Sequence, residues 1–211
     1  MRANNRPFIL GLTGGIATGK SAVAEHMRKL GAVIVDADEI SHALTAPGGA
    51  ALDEIRRVFG PEVFGPDGAL DRRALGDIVF KDAASRRALE GIIHPAVQRE
   101  MLRQVDIAAQ EGARVAVLNV PLLFECGMDA LCDEVWVTTL DKESQILRLM
   151  NRDQLTRAQA LERIQSQMDE PERARRAAHV INTGRPAAET GQAVAQAYKE
   201  LLRRLPPRED E

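Results

Sequence analysis

The residues best suited to chemistry lie in one run near the start of the chain, Gly11-Leu12-Thr13-Gly14-Gly15-Ile16-Ala17-Thr18-Gly19-Lys20-Ser21. Gly14, Gly19, Lys20 and Ser21 satisfy the G-x-x-x-x-G-K-[ST] pattern of a phosphate-cradling loop. Each residue type has a physical task. Glycines let the backbone turn successive N–H groups inward. Those groups, with the N-terminus of the following helix, bind phosphate oxygens. The lysine neutralises charge on the β- and γ-phosphates, and the hydroxyl after it is a magnesium ligand. Gly14, Gly15, Thr18, Gly19, Lys20 and Ser21 are thus expected to bind ATP, with Ser21 on Mg2+ and Lys20 acting in catalysis. No G-x-G-x-x-G can be laid on these glycines, which excludes a dinucleotide fingerprint.

A second constellation, Asp36-Ala37-Asp38, follows the apolar run Val33-Ile34-Val35. Ligands of open α/β sheets bind beyond the carboxyl ends of strands. Two carboxylates there are expected to face the same crevice as the phosphate loop. If the chain stays extended through them, residues two apart point to one side. Asp38, further out, is the preferred base for an attacking hydroxyl or the holder of a magnesium-bound water. Asp36 falls to the substrate side. The competing reading is that one or both cap the next helix, expected to begin near Glu39. Many phosphate-loop enzymes end a later buried strand on Asp, which holds magnesium through water. Here the run RVAVLNV, Arg114 to Val120, places Asn119 at that point. Asparagine adds no charge, so coordination is expected to rest on Ser21, Asp38 and the phosphates. Glu125, a few residues on, is another candidate carboxylate on the substrate side.

Cations are the third ingredient. Arg148, Arg152, Arg157 and Arg163 run through helical sequence, followed by Arg173, Arg175 and Arg176. Arg148 and Arg152 are four apart and share a helix face. Phosphoryl transfer needs cations that close over the triphosphate and exclude water, and these two are assigned that task. Arg157 and Arg163 read instead as a solvated face, paired with Glu162, Asp169, Glu170 and Glu172.

These groups need a scaffold. Phe8 to Leu12, Ala32 to Val35, Arg114 to Val120, Glu134 to Leu140 and, more weakly, His179 to Ile181 are short apolar runs without polar alternation. That is the signature of parallel strands buried on both faces. Amphipathic stretches between them, such as Ala22, Val23, His26, Met27 and Leu30 ending at Gly31, complete a strand–helix rhythm. The expectation is an α/β fold with a five-stranded parallel sheet and flanking helices. Nearly eighty residues separate the second and third runs, far more than one crossover needs. Helices are expected over Ala51 to Phe59, Arg72 to Phe80, Ser85 to Ile93 and Pro95 to Glu111. Turns fall at Pro47-Gly48-Gly49, Gly60-Pro61 and Gly65-Pro66-Asp67-Gly68. A single domain is expected, with core segments 7–40, 114–141 and 178–205, a helical insertion over 41–113 and an Arg-rich lid over 142–177.

Composition narrows the class further. The 211 residues are 45% hydrophobic and 28% charged with a net charge of −3, which suits a soluble domain without the basic footprint of a nucleic-acid binder. No run approaches the roughly 18 apolar residues of a membrane span, and MRANNRPF does not read as a signal peptide. Cys126 and Cys132 lack companions at zinc spacing. A cytoplasmic location with no obligate protein partner is the expectation, and the tail from Pro206 to Glu211 is expected to fray.

The ordered set GLTGGIATGKS, VIVDADEISH, LDRRALGDIVF, IIHPAV, VPLLFE and RLMNRDQLTRAQALERIQSQM resembles the dephospho-CoA kinase family, from about Phe8 to about Tyr198. The resemblance implies a nucleotide-kinase-like phosphate-loop fold with a core, a CoA-side helical part and a lid. It implies transfer of the ATP γ-phosphate to the ribose 3′-hydroxyl of dephospho-CoA, the last step of coenzyme A synthesis. It matches Asp38 to the family's base and Ala17 to Ala22 to its ATP-binding segment. Arg72 and His94-Pro95 match acceptor-side positions, and Arg148 and Arg152 match lid arginines. From the residues alone, His94 reads as a helix-start histidine. Departures are Ala22, Asn119, His179 and Asn182, where relatives carry Thr or carboxylates.

Two other readings compete: a kinase for another small nucleotide or nucleoside, and a non-enzymatic triphosphate-sensing switch. A switch would need neither the long helical insertion nor a carboxylate at the acceptor edge. Replacing Lys20 by Ala should cost turnover roughly a hundredfold or more, because it removes a cation aimed at developing charge. Steady-state kinetics check this, and unchanged turnover would overturn the phosphate-loop assignment.

Overall fold

The computed structural model describes residues 6–206. Residues 1–5, and residues 207–211 of the tail expected to fray, lie outside that range. Five strands form one sheet: β1 (Phe8–Gly14), β2 (Val33–Asp36), β3 (Val115–Asn119), β4 (Glu134–Thr139) and β5 (His179–Asn182), in the order β2-β3-β1-β4-β5. The helices are α1 (Lys20–Lys29), α2 (Ala37–Leu44), α3 (Leu52–Phe59), α4 (Arg72–Lys81), α5 (Ala83–Gln110), α6 (Lys142–Asp153), α7 (Arg157–Gln165), α8 (Glu170–Arg176) and α9 (Ala187–Arg204). All five apolar runs became strands, with ends moved by a residue or two.

The chain divides into two compact units, one of Met1–Val35 with Val105–Glu211 and the other of Asp36–Gln104. In the first, β1 lies at the centre of the sheet. It pairs in parallel with β3 on one side (Leu12 opposite Asn119) and with β4 on the other (Gly14 opposite Thr138). The chain crosses from the β3 side of β1 to the β4 side, so strand order reverses at the carboxyl end of β1. Such a switch point is where open α/β sheets bind ligands. The absence of polar alternation has its cause here. One face of the sheet packs Leu10, Leu12, Val115, Val117 and Trp136 against Val23 and Met27 of α1 and Val194, Tyr198 and Leu201 of α9. The other face is covered too, so Ile9, Ala116, Leu118 and Val137 are equally buried.

The second unit has its own core. Ile55 and Phe59 of α3, Val63 of the single turn Pro61–Val63, and Leu75 of α4 pack with Leu89, Ile92 and Ile93 of α5. The expected Gly65-Pro66-Asp67-Gly68 turn closes with Gly65 N donating to Ala69 O at 2.8 Å. One expectation fails. Ser85 to Ile93 and Pro95 to Glu111 are one helix, α5, with Pro95 inside it. His94 is therefore mid-helix rather than at a helix start. An interior proline costs about 3 kcal/mol. Burial of Ile92 and Ile93 before it and Val97 and Met101 after it outweighs that, at about 1.5–3 kcal/mol per fully buried side chain.

Cys126 and Cys132 form no disulfide. Burial, first of all, pushes the Cys132 thiol up to about 12, which leaves it inert as a nucleophile. Among the described residues no helix is long and apolar enough to cross a membrane.

Met27 is fully buried between α1 and the sheet. Met27→Ala should destabilise the chain by about 2–5 kcal/mol, read as a lower denaturant midpoint with an unchanged slope.

Candidate active site

The geometry of the loop begins where β1 ends. Thr13 and Gly14 are buried, and the loop after them contains two left-handed residues, Ala17 at φ 62° and Gly19 at φ 82°. Left-handed backbone is cheap for glycine and costs an alanine about 1–2 kcal/mol. The loop therefore needs outside restraint, and Thr18 supplies it. Its hydroxyl donates to Gly15 O at 2.7 Å and lies 2.7 Å from the Thr138 hydroxyl on β4. The single proton of Thr18 is spent on Gly15, so Thr138 is the donor of the second bond. Thr183 closes the belt by donating to Thr18 O at 2.6 Å. Space is as tight as conformation. A Cβ on Gly14 would lie 2.7 Å from Thr18 Oγ1 and 2.9 Å from Thr138 O. On Gly15 it would lie 2.9 Å from Gln145 Nε2 and 3.2 Å from Arg173 Nη1.

Gly19 is also the N-cap of α1, which has no side-chain cap and no acidic residue in its first turn. The first N–H groups of a helix have no intrahelical partner. With the positive end of the helix dipole, the N–H groups of Gly19, Lys20 and Ser21 form a helix start suited to an anion, while Ala22 N already donates to Gly19 O at 3.1 Å. By contrast, Asp36, Asp71, Asp141, Thr156 and Asp169 cap α2, α4, α6, α7 and α8 with their own oxygens.

Lys20 Nζ donates to Asn119 Oδ1 at 2.6 Å. Asn119 is buried at the end of β3, so its amide is a fixed post. The asparagine thus has a task that the sequence did not reveal. It gives the ammonium group a fixed acceptor and adds no charge of its own, whereas an aspartate there would add one.

The arginines separate into distinct groups. Arg148 donates to Thr183 O at 3.2 Å, and its guanidinium lies 3.5 Å from where a Cβ on Gly19 would sit. It is beside the loop. Arg152 pairs with the adjacent Asp153 in an exposed contact at 2.7 Å. Arg157 and Arg163 are paired, as the solvated-face reading expected, but with Glu143 and Asp153 rather than with Glu162, Asp169, Glu170 or Glu172. Arg173 is the group that sequence reasoning missed. It is 3% exposed, packs on Gly15, and donates to Met168 O at 2.6 Å. Its buried Nε has no protein partner. Glu125 lies 3.7 Å from Arg173 and accepts from Met168 N at 3.1 Å, so its carboxylate is engaged inside the protein.

In the second unit the Asp36–Asp38 pair is not an extended i, i+2 pair. α2 begins at Ala37, not near Glu39. Asp36 Oδ1 accepts from Asp38 N at 2.9 Å and from Glu39 N at 3.2 Å, which makes Asp36 the N-cap. Asp38 stands in the first helical turn. The favourable cap replaces an extended continuation, since two orphan N–H groups gain an acceptor. Arg72 Nη2 donates to Thr45 Oγ1 at 2.9 Å, reaching the C-terminal end of α2. His94 is half-buried on α5. A cavity of about 330 Å3 is lined by Asp36, Glu39, Ile40, Ala43, Leu44, Ala50, Glu100 and Gln104. Hydrogen bonds from Arg103 and then Gln104 hold the Glu100 carboxyl down to about 2, so this wall is acidic and ill suited to a phosphate.

Among the described residues no group of three or more His, Cys, Asp or Glu could hold a metal by itself. What the loop offers is the Ser21 hydroxyl in an exposed first helical turn. That fits magnesium, which keeps several waters and binds through one or two protein oxygens plus substrate phosphates.

A family model described as dephospho-CoA kinase matches residues 8–188. The chain is 48% identical over 191 residues to the dephospho-CoA kinase of Symbiobacterium thermophilum, an alignment covering 90% of this chain and 80% of that protein. Among solved structures it resembles TT1252 from Thermus thermophilus, with a TM-score of 0.80 and 33% identity over 96% of this chain and all of that one. It also resembles the dephospho-CoA kinase from Campylobacter jejuni, with a TM-score of 0.70 and 29% identity over 92% of this chain and 96% of the other.

Asn119→Ala should leave Lys20 without its post and weaken nucleotide affinity by about tenfold, the loss expected for a hydrogen bond to a charged group. Calorimetric titration with ATP checks this.

Proposed function

Since the chain belongs to the dephospho-CoA kinase family, we propose that it transfers the γ-phosphoryl group of ATP to the ribose 3′-hydroxyl of dephospho-CoA, completing coenzyme A. The observation that carries the reading is the restrained loop: left-handed Ala17 and Gly19, an uncapped α1, and Lys20 aimed by Asn119. This arrangement supports ATP as the donor, with Gly14, Gly15 and Ala17 to Ala22 around its phosphates.

Phosphoryl transfer asks the protein mainly for position and charge. The loop amides and Lys20 hold the β- and γ-phosphates as charge moves from the γ-phosphorus toward ADP. Arg148, beside Gly19, adds a second cation. Arg152 is free to swing, because exposed ion pairs such as its contact with Asp153 are worth at most about 1 kcal/mol. Segment 142–177 would thus act as a lid over the nucleotide. The acceptor oxygen bonds to the γ-phosphorus while the bond to the bridging oxygen of ADP breaks. Asp38 accepts the hydroxyl proton and later yields it to water. Asp36 serves this step by fixing the first turn of α2 on which Asp38 stands. Ser21 directly, and Asp38 through water, would hold Mg2+, which when bound neutralises charge on the β- and γ-oxygens. Segment 41–113, with Arg72 and His94, takes the acceptor side, and Glu125 contributes from behind the loop through Arg173. A cytoplasmic location without an obligate protein partner completes the reading.

The test is a coupled ADP-release assay with magnesium and ATP against a panel of acceptors. Turnover should depend on dephospho-CoA. Turnover with another nucleoside alone would move the chain to the second kinase reading, and binding without turnover would make it a switch. Asp38→Asn should lower kcat by roughly a hundredfold or more. A near-normal rate would assign Asp38 to the helix start alone.

A further inference from the structure

Ile16, at the apex of the phosphate loop, has both of its main-chain polar groups held by side chains. Its N–H donates to Gln167 Oε1 at 2.8 Å, and its carbonyl accepts from Gln145 Nε2 at 2.6 Å. The two glutamines come from different parts of the arginine-rich stretch. Gln145 is buried in the first turn of α6, and Gln167 lies between α7 and α8. A main-chain N–H can only donate and a carbonyl can only accept, so the orientation of each amide is dictated. The arrangement is repeated one step further back. Met168, next to Gln167, has its own N–H held by Glu125 and its carbonyl held by Arg173. Gln145 and Arg173 also close on Gly15 from the same surroundings, at 2.9 and 3.2 Å from a Cβ placed there. Finally, the side chains of Ile16 and Ala17 pack against Ile146, Leu149 and Ala160 of α6 and α7.

These contacts act on the residue directly before the strained one. Ala17 is held at φ 62°, a conformation an alanine leaves unless its neighbours are fixed. On one side Thr18 is belted by Thr138 and Thr183. On the other, Ile16 is gripped by the two glutamines. We infer that Gln145 and Gln167 are positioning residues of the nucleotide site. They hold the Ile16 peptide groups so that Ala17 and Gly19 present their N–H groups inward. The Glu125–Arg173 pair aims Gln167 by gripping Met168. This rests on the reading that the loop binds ATP. It adds that the stretch assigned to the lid sets the loop's anion-binding shape.

The roles are asymmetric, and that makes them testable in the full chain by ATP titration calorimetry and steady-state kinetics. Gln145 must donate, and Gln167 must accept. Gln145→Met and Gln167→Met should each weaken ATP binding by about tenfold. The double variant should lose less than the sum, because both act through one residue. KM for dephospho-CoA should stay within about twofold, since a loop defect is not an acceptor defect. Gln145→Glu places an acceptor against a carbonyl, so its loss relative to wild type should be largest near pH 8. The loss should shrink toward pH 5.5 as the buried acid gains a proton and can donate again. Gln167→Glu keeps its acceptor and should bind ATP more tightly than Gln167→Met. If the Gln145 variants fail to accumulate as folded protein, the half-buried Gln167 pair still decides the matter. Equal ATP affinity in wild type and the Gln167 variants overturns the inference. So does a loss that a lowered unfolding temperature of the unliganded chain fully explains. Absence of ATP binding by the wild type would instead overturn the nucleotide reading, and this inference with it.

Discussion

Backbone amides can hold a triphosphate only if several successive N–H groups converge on one small volume. An ordinary helix or strand cannot do that, because its amides point along the axis or alternate from side to side. Convergence requires residues with positive φ, and here they are Ala17 and Gly19. The surroundings of the loop make this conformation persist. β1 lies at the centre of the sheet, so the loop leaves from a rigid, doubly covered strand. Thr138 on β4 and Thr183 after β5 reach Thr18 because those strands are on the near side of β1. The glycines at 14 and 15 are there for space rather than torsion, since β4, Gln145 and Arg173 stand where a side chain would go.

Charge at this loop is arranged with equal economy. Lys20 donates to the buried amide oxygen of Asn119 at the end of β3, an acceptor that carries no charge of its own. Arg148 lies at the edge of the loop and donates to the main-chain carbonyl of Thr183. Arg173 is the exception. It is buried behind Gly15 with Glu125 nearby, where an unpaired cation would be costly. Its unpartnered Nε shows that the burial is tight rather than fully satisfied. The exposed arginines farther out, 152, 157 and 163, are all paired with acids across solvent. Such pairs cost little to exchange.

The second unit shows how far tertiary packing can override local preference. Proline reads as a helix boundary, yet α5 runs through Pro95, with half-buried Ile92 and Ile93 before it and buried Val97 and Met101 after it. The same competition, with the opposite outcome, decides the start of α2. There a local side-chain cap wins, and Asp36 turns the chain into a helix one residue after the strand ends.

The sequence by itself determined the strands, the loop and the chemical class. Strands buried on both faces need uninterrupted apolar runs, and a backbone phosphate cradle needs glycines at set intervals before a lysine and a hydroxyl. Both demands are local, so both are written in consecutive residues. Gln145 was half legible, being a polar residue on the same face as Ile146 and Leu149. Gln167, Arg173 and the Thr18–Thr138–Thr183 belt left no such trace. The partners of Gln167 and of the belt lie 120 to 165 residues away in the chain, and the role of Arg173 depends on a burial that spacing cannot encode. The tertiary structure alone decided that Asn119 holds Lys20. It alone decided that the arginine-rich stretch grips the loop, because both contacts depend on which surfaces the fold brings together; for Asp36 it only chose between two readings that the local sequence already offered.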